Sequence, residues 1–522
     1  MPTLAELLDG LALTKPLPDA EITGIAVDSR QVQPGDLFFA VVQGVDRYKY
    51  LDQVVERGAA AVVGERRDID LSIPHIQVAD TRAALAQAAA AFHGYPARQL
   101  TMIGVTGTDG KTTTSNFIYQ ILQAAGHPTG MISTVNAQVG DQVLDTGFHV
   151  TTPEAFDTQR YLRLMVDAGL THAVLEMTSI GLAQQRGARP LEFDVAVVTN
   201  ITHEHLNDHG TYAAYFDAKA LLVEGLAQPF RKTRPVDRLA VLNRDDKSYD
   251  SLAKRAKVQQ LAYGLHPEAL LRAANIENNP DDLFFVVHGP HGLQFPIHTS
   301  MFGAYNVSNA LAAIGATVVA LGIDPQAAQA GIAALHGVPG RMERIQLGQD
   351  FTAIVDFAHT PNALKAALEA GRQLTDGKVI AVFGSAGLRD KAKRHMMAEV
   401  AAELADLTVL TAEDPRAESL DDILEEMAAG AKGKGGKEGE TFWRVPDRGT
   451  AISFALLQAK PGDLVLVLGK GHEQSMCFGK TEYLWDDRTA MRAALAELLG
   501  VEGPKMPYLP SQDKREEEWL KG

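Results

Sequence analysis

Apolar positions along the chain fall into short, nearly unbroken runs, and between those runs they recur at helical spacing. The first stretch carries ITGIAV (22–27), DLFFAV (36–41) and AAVVG (60–64), with a helix-like LDQVVERGA (51–59) before the last. The second carries LTMIGV (100–105), THAVLE (171–176) and FDVAVVTN (193–200). The third carries FTAIVDFA (351–358), VIAVFG (379–384), LTVLTA (407–412) and DLVLVLG (463–469). Runs of this kind are buried strands. Phe117, Ile118, Ile121 and Leu122 share one helical face, and helices are predicted over Tyr305–Leu321, Asn362–Gln373 and Met396–Leu404. Strands alternating with helices predict mostly parallel sheets with helices packed on their faces, the α/β class. Residues 281–300 read as a hairpin inserted before the helix at Tyr305.

A length of 522 residues argues for about three domains. The pattern divides them as 1–97, 98–340 and 341–503, with a charged tail, 504–522, expected to fray. The glycine- and lysine-rich Gly430–Gly439 is expected to be a mobile surface loop. The net charge of −16 disfavours nucleic acid as a partner. With Cys477 as the only cysteine, no disulfide forms within the chain. The N-terminus lacks the basic start and apolar run of a signal peptide, and no apolar stretch is long enough to span a membrane. A cytoplasmic, monomeric protein is the expectation.

Candidate chemistry concentrates first at Leu100–Gly126, which reads as strand, glycine-rich turn and helix. Gly107, Thr108, Asp109 and Gly110 precede Lys111, Thr112 and Thr113. Such turns close backbone N–H groups around phosphate oxygens at a helix N-terminus. Lys111 can reach the outer phosphates and Thr112 can ligate Mg²⁺. The fit to the common P-loop is loose, because Val105 stands where that pattern has its first glycine. Glu176 ends a strand, which places its carboxylate at the C-terminal edge of the sheet, and is a second Mg²⁺ candidate. His203, His205 and His209 raise zinc. No cysteine is near, however, and a mixed oxygen and nitrogen site for Mg²⁺ or Mn²⁺ beside a nucleotide fits the setting better. On its pattern alone, Lys219 is a solvated lysine of an amphipathic helix. Asp28-Ser29-Arg30 reads as a turn at a strand end. In the third unit, Asp356, Gly384, Glu413 and Gly469 lie at the sheet edge where ligands of such folds bind. Arg389 and Arg416 have the planar fork that grips a carboxylate, and Glu473 can hold an amine.

These clusters, in this order, resemble the Mur ligase family of cell-wall synthesis, and within it the branch that forms the muramoyl tripeptide. The resemblance runs over roughly residues 20–495 and rests on these motifs: DSR (28–30), GVTGTDGKTTT (104–114), TTPE (151–154), Glu176–Arg186, TNITHEHLNDHG (199–210), Tyr215–Lys219, Asn306–Asn309, GVPGRME (337–343), DFAHTPNAL (356–364), EDPR (413–416) and GKGHE (469–473). It implies a UDP-sugar-binding first domain, a central P-loop ATPase and a Rossmann-like C-terminal domain for the amino acid. It also implies an ATP site at Gly107–Thr113 with Asn309, Arg341 and Asp356. Mg²⁺ is then served by Thr112, Glu176 and His205, together with Lys219 carbamylated by CO₂. UDP-muramoyl-peptide contacts fall at Ser29, Thr151, Thr152, Thr178, Gln184 and Arg186. Amino-acid contacts fall at Arg389, Glu413, Asp414, Arg416, Gly469 and Glu473. The implied catalytic set is Lys111, Lys219, His205 and Glu176.

The implied reaction is ATP-dependent amide formation between a dibasic amino acid and UDP-N-acetylmuramoyl-L-Ala-D-Glu, through an acyl phosphate. Arg416 favours meso-diaminopimelate, whereas the acid at Asp414 favours L-lysine or L-ornithine; diaminopimelate is preferred. The chain departs from the family pattern at Ile180, at Asp46-Arg47-Tyr48 and at His203-Glu204. A folylpolyglutamate synthetase relative would lack the first unit. A non-catalytic muramoyl-peptide binder would not need Lys111, Thr112, Glu176, His205 and Lys219 together.

Overall fold

In the computed structural model the described residues are 1–13, 16–42, 46–67, 69–144, 152–184, 191–202, 209–279, 282–301 and 303–513. They form three α/β units in sequence order, each with its own sheet. The first sheet is parallel throughout, β1 (Gly24–Ala26), β2 (Asp36–Phe39), β3 (Ala61–Gly64) and β4 (His75–Gln77) side by side.

The second sheet has eleven strands. In chain order they are β5 (Thr101–Thr106), β6 (Thr129–Ile132), β7 (Ala137–Val139), β8 (Gln142–Leu144), β9 (His172–Glu176), β10 (Val195–Val198), β11 (Leu239–Asn243), β12 (Gln259–Gly264), β13 (Leu271–Asn278), β14 (Leu283–His288) and β15 (Gln294–Thr299). Its parallel centre runs β13-β12-β11-β10-β5-β9-β6, and antiparallel strands extend both edges. The predicted hairpin is the pair β14–β15. Strand β5 is buried along its whole length, with the helix Lys111–Ala124 on one face. That is why its sequence shows no alternation. The helix predicted over Tyr305–Leu321 is α-helical through Ile314 and continues as a π-turn over Gly315–Val319.

The third sheet comprises β16 (Glu343–Arg344), β17 (Thr352–Asp356), β18 (Val379–Phe383), β19 (Leu407–Leu410), β20 (Phe442–Arg444) and β21 (Leu464–Leu468), in the order β16-β17-β21-β18-β19-β20. All neighbours but the short β16 are parallel. A small antiparallel pair follows, β22 (Ser475–Phe478) and β23 (Thr481–Leu484).

Three local expectations differ. The helix predicted from Met396 begins at Lys391, because the Asp390 carboxylate accepts the Ala392 N–H and caps it. Gly430–Gly439 is not a free loop. The helix Leu420–Gly433 runs into it, and Glu438 takes ion pairs from Lys432 and Arg444. The tail does not fray as far as residue 513. Leu509 is fully buried and Ser511 Oγ donates 2.9 Å to Asp447 Oδ2. An apolar side chain with a buried hydrogen bond outweighs the local charge. Among the described residues no helix is long and apolar enough to cross a membrane.

Candidate active site

The glycine-rich turn sits at the C-terminal end of β5, at the centre of the eleven-stranded sheet. Gly110 has φ +81°, and a Cβ there would lie 2.3 Å from Asn309 Oδ1. Both the backbone angle and the close approach therefore require glycine. Neighbouring loops hold the turn. Asp109 N–H donates 2.9 Å to Asn200 Oδ1, and Thr199 Oγ1 donates 2.6 Å to the Asp109 carbonyl. Thr108 Oγ1 lies 3.0 Å from the Tyr215 hydroxyl. Lys111 Nζ curls back 2.8 Å to the Thr108 carbonyl, so its ammonium already stands over the turn.

Thr112 and Glu176 meet beside it. Both are buried, and Thr112 Oγ1 is 3.1 Å from each Glu176 carboxylate oxygen. Parallel pairing of β5 with β9 brings this about, because it sets Val105 opposite Glu176 and ends both strands at the same edge. A hydroxyl and a carboxylate converging out of solvent are hard oxygen donors, so the pair fits a Mg²⁺-type ion. Lys219 is 2% exposed, which overturns its reading as a solvated lysine. Its Nζ donates 2.6 Å to the Gly107 carbonyl and lies 4.7 Å from the Tyr215 ring centroid. Of the three histidines, His209 faces Ser179, with Nε2 3.0 Å from Oγ. His203 and His205 lie outside the described residues, as do Thr151 and Arg186.

A cavity of about 510 Å³ joins this turn to the third unit. Its walls include Lys111, Thr112, Asn309, Arg341, Asp356 and Phe357. Arg341 Nη2 donates 3.2 Å to Thr112 Oγ1, bridging the two units at the turn itself. Its guanidinium carbon stands 4.4 Å from the Phe357 ring centroid. Asp356 accepts the N–H groups of Met342 at 2.7 Å and Ala358 at 2.8 Å. Burial pushes its carboxyl above the usual range, against the pull of Arg341. Asn309 Nδ2 donates 3.0 Å to Asn306 Oδ1 on the same helix.

Thr152 and Thr178 lie past the end of β9, their hydroxyls 3.1 Å apart, and Thr178 caps the short helix Ser179–Ala183. Gln184 ends that helix. Ser29 is in the first unit, where its hydroxyl donates 2.9 Å to Gln53 Oε1. Asp28 pairs with Arg30 at 2.6 Å, whose hydrogen bonds hold the Asp28 carboxyl down at about 2. Tyr48, where the family pattern differs, packs its ring beneath Arg66 at 4.2 Å.

The third unit gathers two loops at the C-terminal ends of β19 and β21. Asp414 Oδ1 takes a 3.0 Å ion pair from Lys470 Nζ and a 2.9 Å hydrogen bond from Cys477 N–H. Glu473 Oε2 is 2.5 Å from the same Lys470 Nζ. Glu413 lies against Gly469, and its Oε2 is buried without a hydrogen-bond partner. Burial pushes this carboxyl up to about 7. Arg416 is half-buried, whereas Arg389 is exposed on its own loop. Beneath both loops lies a group the sequence did not disclose. Arg448 is fully buried, forks onto Asp487 at 2.7 Å through Nε and Nη2, and donates to the carbonyls of Ala412 and Leu468. Those carbonyls immediately precede Glu413 and Gly469. Lys470 was visible only as a motif letter and Arg448 not at all, because Asp414 and Asp487, against which they are buried, are distant in sequence.

Three family models match the chain: "Mur ligase family, catalytic domain" over residues 21–93, "Mur ligase middle domain" over 105–317 and "Mur ligase, glutamate ligase domain" over 340–471. A UDP-N-acetylmuramyl-tripeptide synthetase of Roseiflexus sp. (strain RS-1) is 43% identical over 510 residues, covering 95% of this chain and 99% of that protein. A UDP-N-acetylmuramoyl-L-alanyl-D-glutamate–2,6-diaminopimelate ligase of Streptomyces coelicolor is 40% identical over 507 residues, covering 95% and 97%. A solved structure of a ligase of the latter description superposes with a TM-score of 0.65 at 28% identity, over 95% of this chain and 99% of that one. With the fold, the phosphate turn and these matches in agreement, the chain belongs to the Mur ligase family of ATP-dependent ligases.

Proposed function

We propose that this protein joins meso-diaminopimelate to the D-glutamate carboxylate of UDP-N-acetylmuramoyl-L-alanyl-D-glutamate at the expense of ATP, in the cytoplasm, during peptidoglycan precursor synthesis. The observation that carries the reading is the cavity shared by the turn and the third unit, with Arg341 reaching Thr112 across it. A nucleotide held on the turn in that arrangement would have its outer phosphate at the seam, where a second and a third substrate can meet it. Residues 1–97 are assigned to the UDP-muramoyl end, 98–340 to ATP and 341–503 to the amino acid.

A carboxylate is a poor electrophile. Transfer of the γ-phosphoryl group makes it an acyl phosphate, which the amine then attacks, expelling phosphate and forming the amide. Lys111 and the N–H groups of Gly107–Thr113 offset the charge that develops on the phosphoryl group. Arg341, Asn309 and Asp356 orient the nucleotide. Thr112, Glu176, His205 and a carbamylated Lys219 would hold Mg²⁺ or Mn²⁺, which supplies charge neutralisation at the phosphates. Carbamylation converts a buried ammonium into a metal-binding anion, and the burial of Lys219 suits a group that must avoid solvent protons. Thr152, Thr178, Gln184 and Ser29, with Thr151 and Arg186, position the muramoyl peptide. Arg416 and Arg389 take the distal carboxylate of the amino acid, and Glu473 its amine. Closure of the third unit about Gly337–Arg341 keeps water from the acyl phosphate.

The test is phosphate release by the purified protein. Release is expected only when ATP, the UDP-muramoyl dipeptide and a diamino acid are all present, and fastest with diaminopimelate. Faster turnover with lysine or ornithine replaces the amino acid in this reading; no release with any of the three refutes the ligase.

A further inference from the structure

We infer that Lys470 is a specificity-determining positioning residue: it neutralises Asp414 and thereby keeps the amino-acid site selective for a diamino acid that carries a distal carboxylate. The inference rests on the assignment of the 413–416 and 469–473 loops to the amino acid. By sequence, the first loop is hostile to a carboxylate, because Glu413 and Asp414 stand three and two positions before Arg416. The structure removes that hostility.

Lys470 is fully buried and sits between two carboxylates, 3.0 Å from Asp414 and 2.5 Å from Glu473. The Asp414 side chain is only 8% exposed, so its charge meets the ammonium in a poorly solvated setting where the pair interacts strongly. Burial works against the Lys470 ammonium, yet Glu473 and Asp414 hold its pKa above the ordinary lysine value. Asp414 and Arg416 both have positive φ, 43° and 53°. The loop is pinned in that shape by hydrogen bonds from Arg416 N–H to the Cys477 carbonyl at 3.0 Å and from Gly479 N–H to the Arg416 carbonyl at 2.8 Å.

Pinned in this way, the half-buried Arg416 guanidinium makes no hydrogen bond or ion pair among the described residues. Glu473, on the other side of Lys470, is 22% exposed. The site therefore offers the Arg416 cation and the partly exposed Glu473 carboxylate, with the Lys470 ammonium shared between Glu473 and Asp414, so that the four groups sum to zero charge. That complements a side chain ending in both an ammonium and a carboxylate. Without Lys470 the remaining three groups, Asp414, Arg416 and Glu473, carry one net negative charge. They would then repel the distal carboxylate and favour a lone ammonium.

The test compares the full chain with K470M, K470R, D414N and K470M/D414N. The readout is the ratio of kcat/KM for diaminopimelate to that for lysine, at pH about 6, where ordinary carboxylates are ionised and the Glu413 carboxyl, pushed up to about 7 by burial, still holds its proton. K470M is expected to lower the ratio on the order of tenfold, the effect of one unbalanced charge several ångströms away, with KM for ATP unchanged. K470R is expected to keep the ratio. K470M/D414N leaves no unpaired buried charge and is expected to restore it, which separates the effect from a folding defect. An unchanged ratio in K470M overturns the inference. So does an equal loss with both amino acids that D414N fails to repair. A wild-type enzyme with no turnover on any diamino acid instead refutes the ligase assignment, before any variant is compared.

Discussion

Arg448→Met removes the clamp beneath the two amino-acid loops. Asp487, fully buried, keeps among the described residues only the side-chain donor Trp485 Nε1–H at 2.8 Å. The carbonyls of Ala412 and Leu468 lose donors at 3.1 Å and 2.8 Å. Breaking a buried ion pair by deleting one partner costs about 3–5 kcal/mol, because the other charge is left without compensation. At roughly 2–4 °C per kcal/mol for a domain of this size, the melting temperature of the third unit should fall by about 6–20 °C. The functional effect should be one-sided. The lost carbonyl contacts lie directly before Glu413 and Gly469, whereas the phosphate turn is built from another sheet. KM for the amino acid should rise well above that for ATP. Arg448→Met/Asp487→Leu, with no charge left to strand, should recover most of the stability but not the amino-acid KM. Calorimetry and steady-state kinetics on the full chain check both parts. The reasoning is refuted if Arg448→Met melts within about 2 °C of wild type, or if both KM values rise together.

Arg416→Ala should raise KM for diaminopimelate by roughly ten- to 150-fold, the worth of a charged hydrogen bond at about 1.5–3 kcal/mol. Initial rates measure it, and an unchanged KM removes Arg416 from the carboxylate contact. Lys219→Ala should abolish turnover. Wild-type protein in ¹³C-bicarbonate should show a carbamate resonance that the variant lacks; no such resonance in the active enzyme would refute carbamylation. The Glu413 carboxyl titrates at 4.5 in an ordinary setting and, through burial, at about 7 here. Its folded form holds a proton that the unfolded chain has already lost. The stability tied to it is therefore complete below pH 4.5 and disappears as pH rises through about 7. At about 1.4 kcal/mol per pH unit this amounts to roughly 3 kcal/mol. Urea midpoints of Glu413→Gln should gain on wild type across that window, and parallel curves would count against the buried acid.

The phosphate turn was legible because its chemistry is local. Strand, glycines, lysine and helix are contiguous, and the misfit at Val105 did not hide them. The parallel sheets were legible for a related reason: strands buried on both faces have to be continuously apolar. The same local view failed at Lys219. On a helix a solvated and a buried lysine have the same spacing, and only the Tyr215 ring and the Gly107 carbonyl, brought in by the fold, distinguish them. It failed again at the tail, where Leu509 finds a core that no neighbouring residue announces.

Sequence by itself thus determined the class of fold, the phosphate turn and the identity of the charged loops, since each is written in adjacent residues. Tertiary structure alone decided how those charges add. Asp414 is an acid in the sequence and ion-paired in the fold, because Lys470, far along the chain, is buried against it. Arg448 likewise became a clamp only when β19 and β21 ended over the same guanidinium. Electrostatic character depends on distance and burial, and neither exists until the chain has folded.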